Sequence, residues 1–471
     1  MDNLLASTGP NLPQLQMALN PKTMLKCFQE TLEPFKRNAF ETTDCEIERF
    51  RFRQGFRSII RYHVSIRDVA AGLRRKIWIT GMTYPNYKAK RLYRRLSADA
   101  PWQGIPSAYL PYKPLAFIPN LNMFIQIFPF DRHLPLLPLL LSGPPALTSL
   151  LLKQFGPGNW EMVRCSVDPV RYRPLLGITF RYTIEAIANK TGEPKSKVFY
   201  LKHYRDDSGE QVYKQLKKLY RCLCIKDAGF NTVKPIAYLE DLRTLILDAV
   251  PGQSLEQTFL NGGDVRMAVS KTARALAKLH LSKLPTSTHR SAKGTLIRAK
   301  KAGRLIQCIH PHLGKKMETI LDKLASTLKN MPPCPTHLDL KVDHIFIDGD
   351  KIIFIDLDSF ALSDPVFDPA SLLARMVLLP NLAAVPRSTI IEVSQRFYTE
   401  YFSMVPDHWR DKLPANYVCA LLKVALYYLQ HQERNSEKKI RRLLNICTDL
   451  LSAHPAGDPP WIIQSSERMT G

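Results

Sequence analysis

The chain has 471 residues, 45% of them hydrophobic and 23% charged, with 66 Lys and Arg against 42 Asp and Glu. That composition excludes a disordered chain, and the length predicts two or more domains with their own cores. The net charge of +24 favours anionic partners (nucleotide, nucleic acid or a membrane surface) if it is more than a solvated basic surface. Nine scattered cysteines without a Cys-x-x-Cys pair argue against a disulfide framework or zinc site and for reduced thiols in a cytoplasmic setting.

The N-terminal stretch MDNLLASTGPNLPQ has no charged segment followed by an apolar one, so no signal peptide is read. LPQLQMALNPKTMLKCF reads as helix and CEIERFRFRQGFRSIIRYHVSI, from Cys45, as a β-hairpin. KIWITGMTY gives a third strand, YKAKRLYRRL a helix, and PLAFIPNLNMFIQIF two more strands. Residues 134–152 (LPLLPLLLSGPPALTSLLL) carry no charge and approach the length of a membrane span. Pro135, Pro138, Gly143, Pro144 and Pro145 break any continuous helix there, which predicts two short packed elements around a turn.

The pattern then recurs. CSVDPVRYRPLLGITFRYTIEA, from Cys165, repeats the hairpin, and the triplets Arg51-Phe52-Arg53 and Arg171-Tyr172-Arg173 stand at the same offset as the pairs Arg61-Tyr62 and Arg181-Tyr182. KVFYLKHY, GEQVYKQLKKLYRCL and PIAYLEDLRTLILDA follow as strand, helix and two strands. Co-linear matches predict an internal duplication of a small α+β lobe. The second copy carries Lys202 on its third strand where the first has Gly81. Further on, VRMAVSKTARALAKLH, RSTIIEVSQRFYTEYF, VCALLKVALYYLQ and EKKIRRLLNICTDLL show helical spacing, with SAKGTLIRAKKAGRLIQ read as a basic run between helices.

Within this helical region PTHLDLKVDHIFI, from Pro335, is followed by KIIFIDLDSF, from Lys351. The apolar runs flanking IDGDK read as two strands of a hairpin, which sets Asp339 and His344 at the same mouth as Asp356 and Asp358. Carboxylates crowded together repel, and a bound cation relieves them. Phosphoryl transfer needs a cation on the phosphates, a divalent metal on carboxylates and a base near the acceptor hydroxyl; Lys202, Asp356 and Asp339 offer one of each.

Here the sequence resembles the aminoglycoside phosphotransferase and choline kinase-like branch of the protein-kinase-like superfamily. HLDLKVDH lies in frame with the catalytic-loop pattern H-x-D-x-x-x-x-N, and IDLD falls where the metal-binding Asp is expected. LILDAVPGQSL is similar to the hinge, RALAKLH (ending at His280) to the first helix of the C-lobe, and SFALSDPVFDPASLLA to the passage into the next helix. The resemblance implies an α+β bilobal protein-kinase-like fold, with an antiparallel-sheet N-lobe and a mainly helical C-lobe, preceded by a degenerate copy of the N-lobe. The corresponding units are residues 1–132, 133–250 and 251–471.

It also implies ATP and Mg²⁺. Asp339 is expected to orient or deprotonate the acceptor hydroxyl, Lys202 to pair with the phosphates, Glu210 to pair with Lys202, and backbone from Asp248 to Val250 to meet adenine. Asp356 and His344 are expected at the metal, His344 replacing the pattern's Asn, with Asp343 or Asp358 the candidates for a second metal role. His337 is expected to brace the loop. The phosphate-covering loop RYRPLLGI has a single glycine, Gly177, which leaves Arg171 or Arg173 as phosphate ligands or as a solvated strand edge. The implied function is ATP-dependent phosphotransfer to a hydroxyl of a small molecule, with a pseudokinase-like nucleotide-binding or regulatory protein as the alternative. A protein kinase is disfavoured, since no stretch after Asp356 is long enough for an activation loop. The positive charge disfavours a polycationic acceptor and suits an anionic one. No nucleic-acid motif and no transmembrane span are read.

Overall fold

The computed structural model describes residues 14–452 except 37–39, 54–56, 70, 71, 73, 85, 104, 106–111, 227, 228, 287 and 379–383. The stretch in which no signal peptide is read lies, up to residue 13, outside the described residues.

Helix α1 (Pro21–Thr31) starts where Asn20 accepts a hydrogen bond from the Thr23 amide and Pro21 presets the first turn. It leads into β1 (Phe40–Arg53), β2 (Arg57–Asp68), β3 (Arg74–Thr83), α2 (Lys88–Asp99), β4 (Leu115–Ile118) and β5 (Met123–Ile127), a five-stranded sheet in the order β1-β2-β3-β5-β4. Residues 134–152 fold as expected into two short helices, α3 (Leu137–Leu141) and α4 (Pro145–Leu152), with Gly143 at φ +63° between them. Among the described residues no helix is long and apolar enough to cross a membrane.

Next come β6 (Trp160–Arg173), β7 (Gly177–Ala188), β8 (Pro194–Tyr204), α5 (Ser208–Lys226), β9 (Phe230–Thr232), β10 (Pro235–Leu239) and β11 (Thr244–Asp248). Strand β7 alternates: Ile178, Phe180, Tyr182, Ile184 and Ala186 are buried, whereas Arg181 and Glu185 are exposed. The second sheet runs β6-β7-β8-β11-β10, the same order of strands as the first. The two lobes also share a detail of packing. The Tyr62 hydroxyl donates to the Ala18 carbonyl and the Tyr182 hydroxyl to the Leu140 carbonyl, each tying the second strand to the helical segment before its sheet.

The lobes meet through an aromatic cluster in which Trp78 lies 5.0 Å from Phe128 and 5.7 Å from Tyr172. Beside it the buried Asp131 carboxylate accepts hydrogen bonds from the Tyr172 hydroxyl and the Leu175 amide, both at 2.8 Å.

The helical lobe contains β12 (Gln253–Ser254), α6 (Val265–Leu281), α7 (Ala292–Ile309), α8 (Gly314–Thr327), β13 (Cys334–Thr336), β14 (Ile345–Asp348), β15 (Lys351–Phe354), β16 (Ala361–Ser363), α9 (Phe367–Leu378), α10 (Arg387–Phe402), α11 (Leu413–Gln430) and α12 (Ser436–Ser452). The β14–β15 hairpin forms where expected, and β9 joins it in parallel with β15, so a strand from the middle of the chain completes the sheet of the helical lobe. The basic run from Ser291 forms a helix of its own, α7, because Ala299, Ala302, Ile306 and Ile309 supply a buried face. A Cβ on Gly303 would stand 3.0 Å from Met317 and Leu321, so glycine permits the close packing of α7 on α8. Helix α11 packs on α9, α7 and α12, and β1 of the first sheet also rests against it.

Candidate functional site

Alternation along β8 sends Phe199, Leu201 and His203 into the core and turns Lys202 towards the cleft between the second sheet and the β14–β15 hairpin. The cleft holds a cavity of about 490 Å³ whose lining includes Gly177, Lys202, Leu247, Val250, His344 and Asp356. Asp248, at the end of β11, also lines it; its side chain accepts a hydrogen bond from the Ala249 amide at 3.0 Å.

At one end of the cavity three side chains converge. One ligand atom from each of Asp339, His344 and Asp356 lies within 4.8 Å of the others. Lys202 Nζ sits 2.6 Å from Asp356 Oδ1 and 2.7 Å from Asp358 Oδ1. Burial alone would lower the pKa of the Lys202 ammonium, but Asp358 and Asp356 outweigh it and hold the pKa above its ordinary value. Burial would likewise raise that of Asp356; Lys202 and the neighbouring His344 reverse this and keep the carboxyl far below the usual range. Both Asp356 (φ +60°) and Leu338 (φ +67°), next to Asp339, hold left-handed backbone conformations that cost energy for residues other than glycine.

Asp339 is ringed by cations: Lys341 at 3.3 Å, Lys423 at 3.6 Å and Arg375 at 3.8 Å. Its burial would raise the carboxyl pKa, yet Lys341, Lys423 and Arg375 together hold it well below the usual range. His344 is buried, and its imidazole pKa is lowered by that burial and by Lys341. His344 Nε2 stands 3.3 Å from Lys341 Nζ and 3.4 Å from Asp356 Oδ2. A neutral imidazole with Nε2 deprotonated and a carboxylate set this close could share a cation. The donor set of two carboxylates and one imidazole suits a divalent ion whose remaining positions go to phosphate oxygens and water.

His337 braces the loop as expected, its Nε2 2.9 Å from the Ile355 carbonyl. Glu210 does not pair with Lys202. It lies in the first turn of α5 and bonds Lys214 one turn on, while Lys202 is taken by the two aspartates of the hairpin. Asp343 is half outside the cluster, 3.8 Å from His344, whereas Asp358 touches Lys202 directly. Arg171 reaches Asp356 at 3.3 Å and Arg173 lines the cavity. The loop between β6 and β7 is held by the Leu175 amide on Asp131. Gly177 serves strand packing, since a Cβ there would stand 2.6 Å from the His203 carbonyl oxygen.

Sequence reasoning missed Asp368, wholly buried, whose two oxygens accept the His337 amide at 2.6 Å and the Leu338 amide at 2.8 Å. His280 Nε2 stands 3.2 Å from Asp368. It also missed Arg375 and Lys423. Each is a lone cation in an apolar helical run, SLLARMVLL and VCALLKVALYY, and that was the available signal.

Residues 190–387 match the model of the APH phosphotransferase enzyme family. No curated protein matches the sequence. Solved structures similar to the chain include the ADP-bound aminoglycoside phosphotransferase APH(2'')-Ib (17% identity, 65% of this chain and 96% of that chain covered, TM-score 0.40). A choline/ethanolamine kinase family protein from Mesorhizobium loti matches at 13% identity over 70% of this chain and 97% of that chain, TM-score 0.40. Choline kinase from Cryptosporidium parvum matches at 12% identity over 61% and 89%, TM-score 0.41.

Proposed function

We propose that this chain, whose residues 190–387 match the phosphotransferase enzyme family model, moves the γ-phosphoryl group of ATP to a hydroxyl of a small molecule. The observation that carries this reading is the convergence of Asp339, His344 and Asp356 at the end of the cavity, opposite Lys202.

The cavity takes the nucleotide, with adenine against the backbone of 248–250 and Lys202 on the phosphates. Asp356 and His344 would hold Mg²⁺, with Asp358 beside them, and a divalent ion bound there supplies neutralising charge for the phosphates. Asp339, held ionised by its three cations, is a weak base but a good hydrogen-bond acceptor. It therefore orients the acceptor hydroxyl for in-line attack and receives its proton late, which a loose phosphoryl-transfer transition state permits. Asp368 and His337 fix the loop that carries Asp339. Arg171, on Asp356, is placed to meet phosphate oxygens.

The first lobe is read as a copy of the second that has lost its site. At the place of Lys202 it has Gly81, where even a Cβ would stand 2.6 Å from Met123 and 3.1 Å from Tyr62. All nine cysteines are free, which suits the reducing cytoplasm. The rival reading, a nucleotide-binding protein with little turnover, draws on His344 at the place of the family's Asn. Thermal shift with ATP and Mg²⁺, followed by ATP consumption over a panel of hydroxylated metabolites, tests both. A nucleotide-dependent rise in melting temperature with turnover on some acceptor is expected. No shift at millimolar ATP overturns the site.

A further inference from the structure

The loop between β6 and β7 borders the cavity through Arg173, Leu176 and Gly177, yet its anchors lie in the first lobe. Tyr172, near the end of β6, is buried, with its ring 5.7 Å from Trp78 and 5.3 Å from Phe128. Leu175, in the turn itself, is buried in one cluster with Ile59, Met82, Tyr84, Phe124 and Phe130, side chains of the first lobe.

One carboxylate fastens both. Asp131, just after β5, accepts the Tyr172 hydroxyl and the Leu175 amide on Oδ2, each at 2.8 Å, and the His133 amide on Oδ1 at 2.9 Å. A buried carboxylate is costly unless donors compensate it, and these three do so. Leu175 also holds φ +65°, a conformation that a leucine keeps only where its surroundings dictate it.

Anchoring on one side fixes what stands on the other. Side chains alternate along a strand, so with Tyr172 turned into the first lobe, Arg171 and Arg173 are turned to the cavity that both line. Arg171 Nη1 rests 3.3 Å from Asp356 Oδ2, within the group formed by Asp339, His344 and Asp356. A glycine-rich cover is free before the nucleotide binds and loses that freedom on binding, which costs entropy. This loop, with Pro174, Leu175 and Leu176 before Gly177, has already lost it on folding.

Resting on the phosphotransferase reading, we infer that Asp131 is a positioning residue for the nucleotide. Through Tyr172 and Leu175 the first lobe holds the loop closed and presets Arg171 and Arg173 for the phosphates of ATP. Arg171 rests on Asp356 until phosphate oxygens take its place. The first lobe thus serves the site without lining it, and its effect falls on the phosphates and not on adenine, which is assigned to the backbone of 248–250.

The test compares ATP with Mg²⁺ against adenosine by calorimetric titration of the full chain. Asp131→Ala removes the shared acceptor and should weaken ATP binding by about tenfold, while adenosine stays within about twofold. Leu175→Ala, which withdraws a side chain from the first lobe and none from the cavity lining, should shift the same ratio. In a variant that already carries Arg171→Gln and Arg173→Gln, Asp131→Ala should cost no further ATP affinity, because it acts through those side chains. Urea unfolding establishes that each variant is folded. Should Asp131→Ala not fold, Tyr172→Phe removes one of the two bonds, keeps the ring, and should weaken ATP alone by about threefold. Equal losses for ATP and adenosine, wild-type ATP affinity in these folded variants, or a full further loss on the double arginine variant would each overturn the inference. A wild type that binds neither ligand instead overturns the nucleotide site on which it rests.

Discussion

Lys202 Nζ lies 2.6 Å from Asp356 Oδ1, a contact between residues 154 positions apart that ties β8 to the hairpin of the helical lobe. Lys202→Met removes the cation that Asp356 and Asp358 share and the proposed phosphate partner. A charge-assisted contact of this kind is worth about 2 kcal/mol, so affinity for ATP with Mg²⁺ should weaken by more than about tenfold. Calorimetric titration checks this, and an unchanged affinity would separate Lys202 from the nucleotide.

Asp368 holds the loop from below. Asp368→Asn places an NH₂ where an oxygen now accepts either the His337 or the Leu338 amide, leaving a buried donor unpaired at a cost of about 1–3 kcal/mol. Unfolding in urea should shift to lower concentration and phosphate transfer should fall, with ATP affinity nearly unchanged. Wild-type stability in this variant would remove Asp368 from the support of the loop.

His203 gives a pH dependence. Its pKa is lowered from 6.5 to about 4, chiefly by burial, while its Nδ1 donates to the Leu242 carbonyl at 2.8 Å. The unfolded chain therefore binds more protons than the folded one between these values. The contribution is fully present above about pH 6.5 and is lost as pH falls through about 4; it is on the order of 3 kcal/mol. His203→Asn keeps a donor without the titration, so unfolding free energy measured from pH 7 to 4 should fall less steeply than in the wild type. Parallel curves would assign the slope to other groups.

His344 Nε2 lies 3.4 Å from Asp356 Oδ2. An amide oxygen is the harder ligand, so His344→Asn should keep or raise transfer with Mg²⁺. A drop of tenfold or more in Mg²⁺ would mean that the imidazole does something an amide does not, such as fixing Lys341.

Much of this arrangement was legible in the sequence because its signals were local. The alternation of β7, the turn at IDGDK and the prolines around Gly143 each act within a few residues, and each element formed where the pattern placed it. Co-linear repetition likewise anticipated two sheets with one strand order. What escaped depends on contacts between distant segments. Glu210 is close to Lys202 along the chain, but the helical turn gives it Lys214, and the hairpin delivers two aspartates to Lys202 from the other lobe. Asp368, Arg375 and Lys423 meet the loop only after α9 and α11 have packed. The parallel pairing of β9 with β15 also has no local signature.

The division of labour between Asp339 and Asp356 is the centre of the proposed function, and nucleotide binding with phosphate transfer in Asp339→Asn and Asp356→Asn tests it most directly. Asp339→Asn keeps the shape of the loop but removes the carboxylate that meets the hydroxyl. Transfer should fall by about two to four orders of magnitude while ATP affinity barely changes. Asp356→Asn removes charge from the cation seat, so binding of ATP with Mg²⁺ and transfer should fall together. Equal, small effects of both substitutions on both curves would contradict the account and favour a nucleotide-binding protein without turnover.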